Sequence, residues 1–525
     1  MKKNKLSDFK KIINFEISQR GDFENLNYKP TFKASAIFYF VCNNTIDTKI
    51  SFLNYWNIKN HNKDVSCLIT LRSDKGEKIL RTFLKLKENT YTFSIKKILQ
   101  NKIRLNDISG SVNIELFSSY DLKFIYPAID AIYETSHGVS LVHSNQRILD
   151  DIIDNKDNQS LNQTQTGFDI YCDEFNYSYV VAINGPLELL NKELDIKFFN
   201  SKGKSFTKKF KFKKISPYEV IKIDLDKIKK LKKFFQSSKG FCKINLPTEN
   251  IFNRVLVATV SRDKKKITTT HSYYDCSNVK DFVTFDKPNS QKYNCFIPFN
   301  IIKDIDLDIV IYPIFSKSNL AFDLEMVNRN KEHKIIQKNV LNIEKNFSKS
   351  ITLPIKNFLK QINNPTENLY FLNIRSKNNK IPSRMTYGFN YKQKSFGSNI
   401  SDAMIVNRPG KTRRSKSKGF YWGPVFHSKN ISSVIALSSL LDDSSFKDQK
   451  LILKIYNNKK IVLKQKFNIK NKESKTIHLD NLLKNTKKSE DQVLWFTLES
   501  SLSKNLICKH VHKSKFGHIS ADHSF

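Results

Sequence analysis

A six-residue phrase recurs along the chain and constrains its fold more than any other feature. It reads VSLVHS at 139–144, ITTTHS at 267–272 and ISADHS at 519–524, and a decayed copy without histidine stands at 382–387. Self-similarity at a fixed long period is typical of one structural unit used several times. The sequence therefore predicts four copies of one module.

Two further landmarks have the same period. Short polar turns begin at Ser73, Asn200, Asn328 and Asn457, which are 127, 128 and 129 positions apart. A strand that runs into a one-turn helix follows each turn, at 93–99, 223–228, 353–359 and 477–483. Landmarks that keep the same order and spacing indicate a repeat of about 125 residues, a common domain size.

Apolar residues alternate within each quarter, which is typical of half-buried strands. Polar loops join such runs into hairpins, as between 256–260 and 267–271. Long helices and βαβ alternation are missing from the pattern. We therefore predict an all-β chain of four tandem immunoglobulin-like, or related antiparallel, β-sandwich modules with short helical turns and about seven strands each. A jelly roll is the alternative, because one sequence does not give the strand order.

Polar stretches separate the four quarters and predict linkers, so the array is expected to be semi-flexible. The predicted organisation is an N-terminal extension 1–31, repeat 1 at 32–145, a linker 146–167, repeat 2 at 168–275, a linker 276–293, repeat 3 at 294–391, a basic linker 392–419 and repeat 4 at 420–525.

The chain is strongly basic, with a formal net charge of +39 and a pI near 9.7. Such a charge favours a polyanionic partner: nucleic acid, acidic glycan or anionic lipid. An A/T-rich genome is the competing explanation, because Gly and Pro are scarce (14 and 13) while Phe is abundant (40). Codon bias inflates lysine but does not explain the shortage of Asp and Glu, so both explanations stay open.

Cysteine usage and hydropathy bear on the compartment. The seven cysteines are odd in number and occupy non-equivalent places in the repeat, and Cys67, Cys242 and Cys508 lie in apolar strands. The start of the chain lacks the apolar core of a signal peptide, and we predict no transmembrane segment. A bacterial cytoplasm is favoured; a virion component or a surface protein exported without a cleaved signal is the alternative.

The repeated His-Ser pairs are the first candidate site. They are His143-Ser144, His271-Ser272 and His523-Ser524. Neighbouring residues of a strand point to opposite faces, so adjacency alone does not make a base–nucleophile couple. The histidines could hydrogen-bond a neighbouring strand and fix the module's edge, bind a repeated ligand, or mediate module-to-module contact.

A second candidate is the histidine cluster near the C-terminus. His510 and His512 share one strand face, and His518 and His523 lie on the returning strand, where five-residue spacing allows one of them to join the first pair. Neutral imidazole is a common zinc ligand. His510, His512 and His523 are therefore a candidate metal set, against the simpler interpretation of a fortuitous surface cluster.

Basic patches are the third candidate. In repeat 2 they comprise Lys209, Lys211 and Lys213, alternating with phenylalanines along a strand, and Lys229, Lys230, Lys232 and Lys233. In the third linker they comprise Arg408, Lys411, Arg413, Arg414, Lys416 and Lys418. A solvated face or linker is one interpretation; salt-dependent contact with phosphates or acidic sugars is the other.

Motifs of known catalytic chemistry are missing: there is no P-loop, dinucleotide fingerprint, G-x-S-x-G elbow, H-E-x-x-H or C-x-x-C. We therefore predict a non-catalytic, multi-module binding or scaffolding protein without cofactor that contacts an extended anionic partner, an acidic glycan or nucleic acid. One alternative is a structural subunit of a surface layer or virion that self-associates through the His-Ser edge. Another is a metalloprotein or enzyme centred on the C-terminal histidines.

Overall fold

The fold is all-β with several antiparallel sheets, which confirms the predicted class. In a computed structural model, the described residues are 32–100, 107–122, 127–143, 146–149, 164–166, 169–236, 239–275, 282–285, 295–328, 330, 332–393, 396–405, 419–439, 449–470, 472–486, 488, 493–501 and 506–525, with backbone alone for 274 and 396–405. The predicted extension 1–31 and the six basic residues of 408–418 lie outside this set.

The first sheet pair uses eight strands. These are β1 (Phe32–Cys42), β2 (Ile46–Leu53), β3 (Ser66–Ser73), β4 (Lys78–Lys85), β5 (Thr90–Ser94), β6 (Ile108–Ser118), β7 (Asp130–Thr135) and β8 (Gly138–Val142). One sheet has the order β1-β6-β3-β4 and the other β5-β2-β7-β8. Two helices, α1 (Tyr55–Asn60) and α2 (Ile95–Gln100), follow β2 and β5.

The second sheet pair repeats this order with one added strand. Its strands are β10 (Gln165–Thr166), β11 (Asn176–Ile183), β12 (Leu189–Phe199), β13 (Ser205–Ile215), β14 (Val220–Asp224), β15 (Phe241–Asn245), β17 (Leu256–Ser261), β18 (Ile267–His271) and β19 (Tyr273–Tyr274). The sheets run β13-β12-β15-β10-β19 and β14-β11-β17-β18. A 3-10 turn (Leu225–Lys227) and α3 (Leu231–Phe235) follow β14, and β9 (Arg147–Ile148) pairs with β16 (Ile251–Phe252).

The third sheet pair has the same order again. Its strands are β21 (Phe296–Phe299), β22 (Asp306–Ile311), β23 (Leu320–Val327), β24 (His333–Ile343), β25 (Ile351–Pro354), β26 (Leu369–Ser376), β28 (Arg384–Gln393) and β29 (Phe396–Ile405). The sheets run β21-β26-β23-β24 and β25-β22-β28-β29. Two 3-10 turns (Ile355–Phe358 and Pro365–Glu367) follow β25, and β20 (Phe282–Thr284) pairs with β27 (Lys380–Pro382).

The fourth sheet pair completes the chain. Its strands are β30 (Gly419–Phe426), β31 (Ile431–Ser439), β32 (Gln449–Tyr456), β33 (Ile461–Ile469), β34 (Ser474–His478), β35 (Val493–Ser500), β36 (Leu506–Ser514) and β37 (Ile519–His523). The sheets run β30-β35-β32-β33 and β34-β31-β36-β37, and α4 (Leu479–Leu482) follows β34.

All four sheet pairs therefore share one strand order: first-sixth-third-fourth in one sheet and fifth-second-seventh-eighth in the other. Each pair has eight such strands rather than the predicted seven. The helical turn after the fifth strand is present four times, and its first residue is buried each time: Ile95, Leu225, Ile355 and Leu479. The predicted landmarks thus mark equivalent positions.

Parts of the predicted linkers are strands. β29 lies inside 392–419 and pairs with β28 from Arg384↔Ile405 to Gln393↔Phe396. β9 and β10 lie inside 146–167, and β20 lies inside 276–293. The stretches that contain these strands are polar overall, so hydropathy assigns them to loops, yet pairing with a neighbouring strand satisfies the backbone groups of the strand residues.

The turn between the third and fourth strands of each pair contacts the next pair. Val220 N–H donates to the carbonyl of Asp74 at 2.8 Å, and a Cβ on Gly76 (φ +84°) would lie 2.0 Å from the Pro217 carbonyl oxygen. Gly203 approaches the side chain of Lys349. These contacts join pair 1 to pair 2, and pair 2 to pair 3.

The same turns complete a ring. In the third pair, Val327 and Asn328 face Glu473 of the fourth pair across a shared groove. In the fourth pair, the carbonyl of Asn458 accepts a hydrogen bond from Asn89 N–H at 2.8 Å, which returns to the first pair. Because the last pair contacts the first, the repeats form a closed ring instead of an open row.

Hydrophobic cores continue across these junctions. The largest cluster joins the first pair to Val181 of the second and to Trp495 of the fourth. A second cluster joins the third pair to Val511 of the fourth, and a third joins Phe241 of the second pair to Tyr312 of the third. Shared apolar burial of this kind opposes the semi-flexible array that the linkers predicted.

Asn300 offers a test of one junction. Its side chain is buried, its amide donates to the Leu437 carbonyl at 2.8 Å, and Ser438 Oγ donates to its Oδ1 at 2.9 Å. We expect Asn300→Ala to lower the free energy of unfolding by about 2–3 kcal/mol, because buried polar partners in β31 lose their bonds. Urea unfolding measures this, with Asn330→Ala at an exposed turn as control. Equal small losses in both variants would contradict the junction.

The eighth strand of each pair, here called the closing strand, lies at the middle of the ring. β8 contacts both β18 and β37, and β29 contacts the same two strands. Ser140 Oγ and Thr269 Oγ1 lie 2.9 Å apart across β8 and β18, and Thr269 N–H donates to Ser140 Oγ at 2.7 Å. The four closing strands thus pack around a common centre.

The third copy of the repeated phrase was placed wrongly. Residues 382–387 lie at the end of β27 and in β28, which is the seventh strand of its pair. The closing strand is β29, and its register with β28 and β22 sets Ser401 at the place that His271 and His523 occupy in β18 and β37. The phrase at 382–387 departs from the repeat period, because it begins 115 positions after the copy at 267, whereas Ser401 follows His271 by 130 positions.

Six cysteines of the described residues carry free, buried thiols: Cys42, Cys67, Cys172, Cys242, Cys295 and Cys508. Burial raises the pKa of the Cys67 thiol to about 12, so it is protonated and packs as a small apolar group. In the same residues, no helix has the length and apolar character that crossing a bilayer requires.

Candidate functional site

Three histidines from three different repeats meet at the centre of the ring. His143 follows β8, His271 ends β18 and His523 ends β37. One ligand nitrogen from each lies within 4.8 Å of the others. The His143 ring lies 4.9 Å from that of His271 and 4.3 Å from that of His523, both nearly edge-to-face. We call these the central histidines.

Each central histidine is oriented through its Nδ1. His271 Nδ1 lies 2.8 Å from the Ser272 carbonyl oxygen, and His523 Nδ1 lies 3.2 Å from that of Ser524. A carbonyl oxygen accepts but cannot donate, so Nδ1 carries the proton in both rings. In a neutral imidazole this tautomer leaves the Nε2 lone pair as the acceptor.

His271 is neutral at physiological pH. Burial, followed by the charge of His143, lowers the pKa of His271 from 6.5 to about 3. Its Nε2 is buried and has no hydrogen-bond partner. A buried acceptor without a partner is uncommon in folded proteins and calls for an explanation.

Asp522 supplies negative charge beside the central histidines. Its Oδ2 lies 2.7 Å from His143 Nδ1. Burial alone would raise the pKa of Asp522, but the charge of His143 and the hydrogen bond to it hold that pKa well below its usual range. Asp522 is therefore ionised, although it is 4% exposed.

A second buried carboxyl lies nearby. Asp130 is fully buried, neither of its oxygens has a hydrogen-bond partner, and burial followed by the charge of Asp522 raises its pKa well above the usual range. This shift favours the protonated, uncharged form of Asp130. The centre combines three imidazoles, donors that suit a divalent transition metal, with one carboxylate beside them.

The predicted metal set is divided between two places. His523 lies with His143 and His271, whereas His510 Nδ1 lies 3.0 Å from His512 Nε2, and His512 Nδ1 lies 2.8 Å from Ser433 Oγ. His510 and His512 are each 1% exposed, so they are not a surface cluster. Burial lowers the pKa of His510 to about 4 and that of His512 well below its usual range.

The motif serines have separate partners. Ser272 Oγ donates to Gln165 Oε1 at 2.5 Å and accepts from Val255 N–H, while Ser524 Oγ contacts Cys508 Sγ at 3.0 Å. Ser144 lies outside the described residues. Neither described serine hydrogen-bonds a central histidine through its hydroxyl, in keeping with the expectation that adjacency does not make a catalytic couple.

The lysines predicted to bind a polyanion are exposed on the second sheet pair. Lys209, Lys211 and Lys213 point outward on the edge strand β13, and Lys229, Lys230, Lys232 and Lys233 flank or lie on α3. Lys209 is paired with Glu193 at 2.5 Å. Within the described part of the chain, Lys229, Lys230 and Lys233 have no ion pair with a carboxylate.

A groove runs between β13 and the segment after β14, and we call it the lysine groove. Its volume is about 660 Å³. It is lined by Phe206, Thr207, Lys208, Phe210, Lys222, Ile223, Asp224, Lys227, Ile228, Lys229 and Lys230. The lining contains five lysines and one acidic residue, Asp224, so its formal net charge is four positive charges. Asp224 forms an ion pair with Lys227 at 3.1 Å.

Sequence reasoning singled out the three central histidines and, among the lysines of the groove, Lys229 and Lys230, but not how these residues are grouped. Lys208 and Lys222 were missed, because they belong to different strands whose proximity is set by the sheet order. The contact between Asp522 and His143 was missed, because the two residues are 379 positions apart. The recurrence of histidine at the end of three closing strands was the available signal for the central site.

Comparisons with known proteins give no functional guide. No protein-family model matches the chain, and no curated protein matches it. Among solved structures, the crystal structure of dimeric latent PorU from Porphyromonas gingivalis aligns at 7% identity with a TM-score of 0.12, over 87% of this chain and 40% of that chain. A TM-score this low carries no argument.

Proposed function

We propose that the chain is a non-catalytic binding or scaffolding protein of four immunoglobulin-like modules, one per sheet pair. Its lysine groove contacts an extended anionic partner, an acidic glycan or a nucleic acid. The observation that carries this proposal is the concentration of unpaired lysine at one place. Lys229 and Lys230 face the groove without carboxylate partners among the described residues, so their charge is open to an incoming anion.

Edge protection alone does not account for these lysines. The fourth strand of every pair is an edge strand, and lysine on an edge discourages pairing with another molecule. β4, β24 and β33 have two lysines each, whereas β13 has five. Codon bias acts equally on all four repeats, so the excess on β13 supports a specific role.

The lining of the groove suits a polymer with regularly spaced charges. Phe206 and Phe210 are half-buried and line the groove together with its five lysines. The lysine ammonium group is a point charge on a flexible side chain, so it binds phosphate, sulfate and carboxylate groups alike. The chemistry shared by acidic glycans and nucleic acids is therefore what the groove recognises.

We expect the double variant Lys229→Glu/Lys230→Glu to bind a heparin-like oligosaccharide or single-stranded DNA about tenfold or more weakly, because two cationic contacts become repulsive. The slope of log K against log salt should fall by about two. Fluorescence anisotropy at low and physiological salt measures both quantities, and the two probes distinguish glycan from nucleic acid.

The matched control is Lys464→Glu/Lys466→Glu on β33, which makes the same charge change on another edge strand. This variant should bind nearly as wild type. An equal loss in both variants, or wild-type binding that vanishes at physiological salt for every polyanion, would contradict a groove-specific function.

The alternative of self-assembly through the His-Ser edge has less support. β8, β18, β29 and β37 contact one another within one chain, so the described histidine-bearing strands are engaged internally. The buried free thiols agree with a reducing interior such as a bacterial cytoplasm, which we retain as the proposed compartment.

A further inference from the structure

We propose that the central histidines form a binding site for a divalent transition metal, with zinc as the matching ion, which ties the first, second and fourth repeats together. The inference is independent of the lysine groove. It rests on three donors from three repeats, on how their rings are oriented, and on the unpartnered nitrogen of His271.

The donor spacing is close to what zinc requires. Zinc–imidazole bonds of about 2.0 Å in a tetrahedral site set ligand nitrogens about 3.3 Å apart. The candidate nitrogens lie within 4.8 Å of one another, so small rotations of the rings bring them to bonding positions. Three protein ligands leave a fourth position for water or an exogenous ligand.

The hydrogen bonds around the imidazoles match those of metal ligands. Ligating histidines commonly donate their other ring nitrogen to a carbonyl or a carboxylate, which fixes the tautomer and the ring direction. The carbonyls of Ser272 and Ser524 serve His271 and His523 in this way, and Asp522 serves His143. All three rings therefore have the second hydrogen bond that such sites use.

Burial and charge favour a cation at this point. His271 Nε2 gains the partner that it lacks, which removes the cost of a buried unsatisfied acceptor. The buried carboxyl group of Asp522, 2.7 Å from His143 Nδ1, lies beside the three donors. A ligating imidazole is neutral, so metal binding releases any proton from the ligating nitrogen, and the nearby carboxyl group of Asp522 attracts the divalent ion.

The bound metal would cross-link three of the four repeats. His143, His271 and His523 are 128 and 252 positions apart in sequence and belong to strands that contact one another only in the closed ring. The third repeat has Ser401 at the corresponding register position, so it supplies no imidazole, and the site has three histidine ligands instead of four. Zinc binding should therefore resist separation of the first, second and fourth repeats.

The test uses the full chain purified without a histidine tag, stripped with chelator and titrated with Zn²⁺ or Co²⁺. We expect one equivalent bound per chain, visible d–d bands of four-coordinate cobalt, and a thermal midpoint that rises with Zn²⁺. His271→Gln and His523→Gln should each lose stoichiometric binding. Asp522→Asn should weaken binding by about 10–100-fold, because it orients a ligand without being one.

His333→Gln, in β24 outside the centre, is the control and should bind one equivalent as wild type does. Unfolding in chelator checks that each variant folds. If the two ligand variants fail to fold, the test of the site is the comparison of cobalt spectra between the wild type and the Asp522→Asn variant. Wild type that retains no metal after dialysis, or folded ligand variants that retain a full equivalent, would overturn the site.

Discussion

Acidification from about pH 7.5 to about pH 5 should lower the unfolding free energy of the chelated protein by about 2 kcal/mol through His518 alone, because this buried side chain stays neutral in the folded state. Burial, with Lys266 as the next cause, lowers the pKa of His518 to about 3. Burial, with His510 as the next cause, lowers that of His512 well below 6.5. His518 contributes about 2 kcal/mol over this interval, and His512 changes the stability in the same direction.

The direction of the effect follows from the pKa shifts. The unfolded histidine takes up a proton near pH 6.5, whereas the folded one resists until a much lower pH, so the unfolded state binds more protons between these values. Stability is therefore complete above about pH 6.5 and is lost as the pH falls below it. His137 faces His518, and Asp522 faces His512 and partly offsets its shift.

Urea unfolding at several pH values, with chelator present, measures this dependence. His518→Gln should remove about 2 kcal/mol of the difference between the two pH values, because one titrating group is gone. His478→Gln, at an exposed position, should leave the difference unchanged. A pH dependence that is the same in both variants would show that His518 is not buried as described.

Replacing Trp495 by alanine should lower the unfolding free energy by about 3–5 kcal/mol, since a large side chain is removed from a filled core. Trp495 is fully buried in the fourth pair, in the cluster shared with the first. Its indole N–H donates to Ser51 Oγ of the first pair at 2.9 Å. The loss therefore falls on the contact that closes the ring.

Two milder variants separate packing from hydrogen bonding. Trp495→Phe keeps an aromatic ring against Phe525 and should cost less than Trp495→Ala, while Ser51→Ala leaves a buried indole N–H unpaired and should cost about 1–3 kcal/mol. Urea midpoints give all three values. A cost below about 1 kcal/mol for Trp495→Ala would contradict its position between the two pairs.

The sequence predicted the features that depend on local pattern. The turn at Asn200 to Gly203 and the buried helical start at Leu225 were found because they recur at the same place in each repeat. Hairpins such as β17–β18 were found because alternating apolar runs flank a polar turn. Local backbone geometry and hydropathy determine these elements.

Features that depend on distant contacts were missed. β29 has serine, asparagine and aspartate in place of regular apolar alternation, so hydropathy assigned all of it to a linker. The bond between Asn89 and Asn458 joins residues 369 positions apart, and no local pattern reports it. The meeting of His143, His271 and His523 follows from ring closure, so it could not be derived before the closure was known.

Small-angle X-ray scattering of the full chain tests the closed ring most directly. A closed arrangement of 525 residues should give a radius of gyration of about 24 Å. An open row of four sandwiches, each about 40 Å long, would give roughly 45 Å. A radius of gyration of about 24 Å supports the ring closure that brings the central histidines together. A radius of roughly 45 Å would contradict the ring closure.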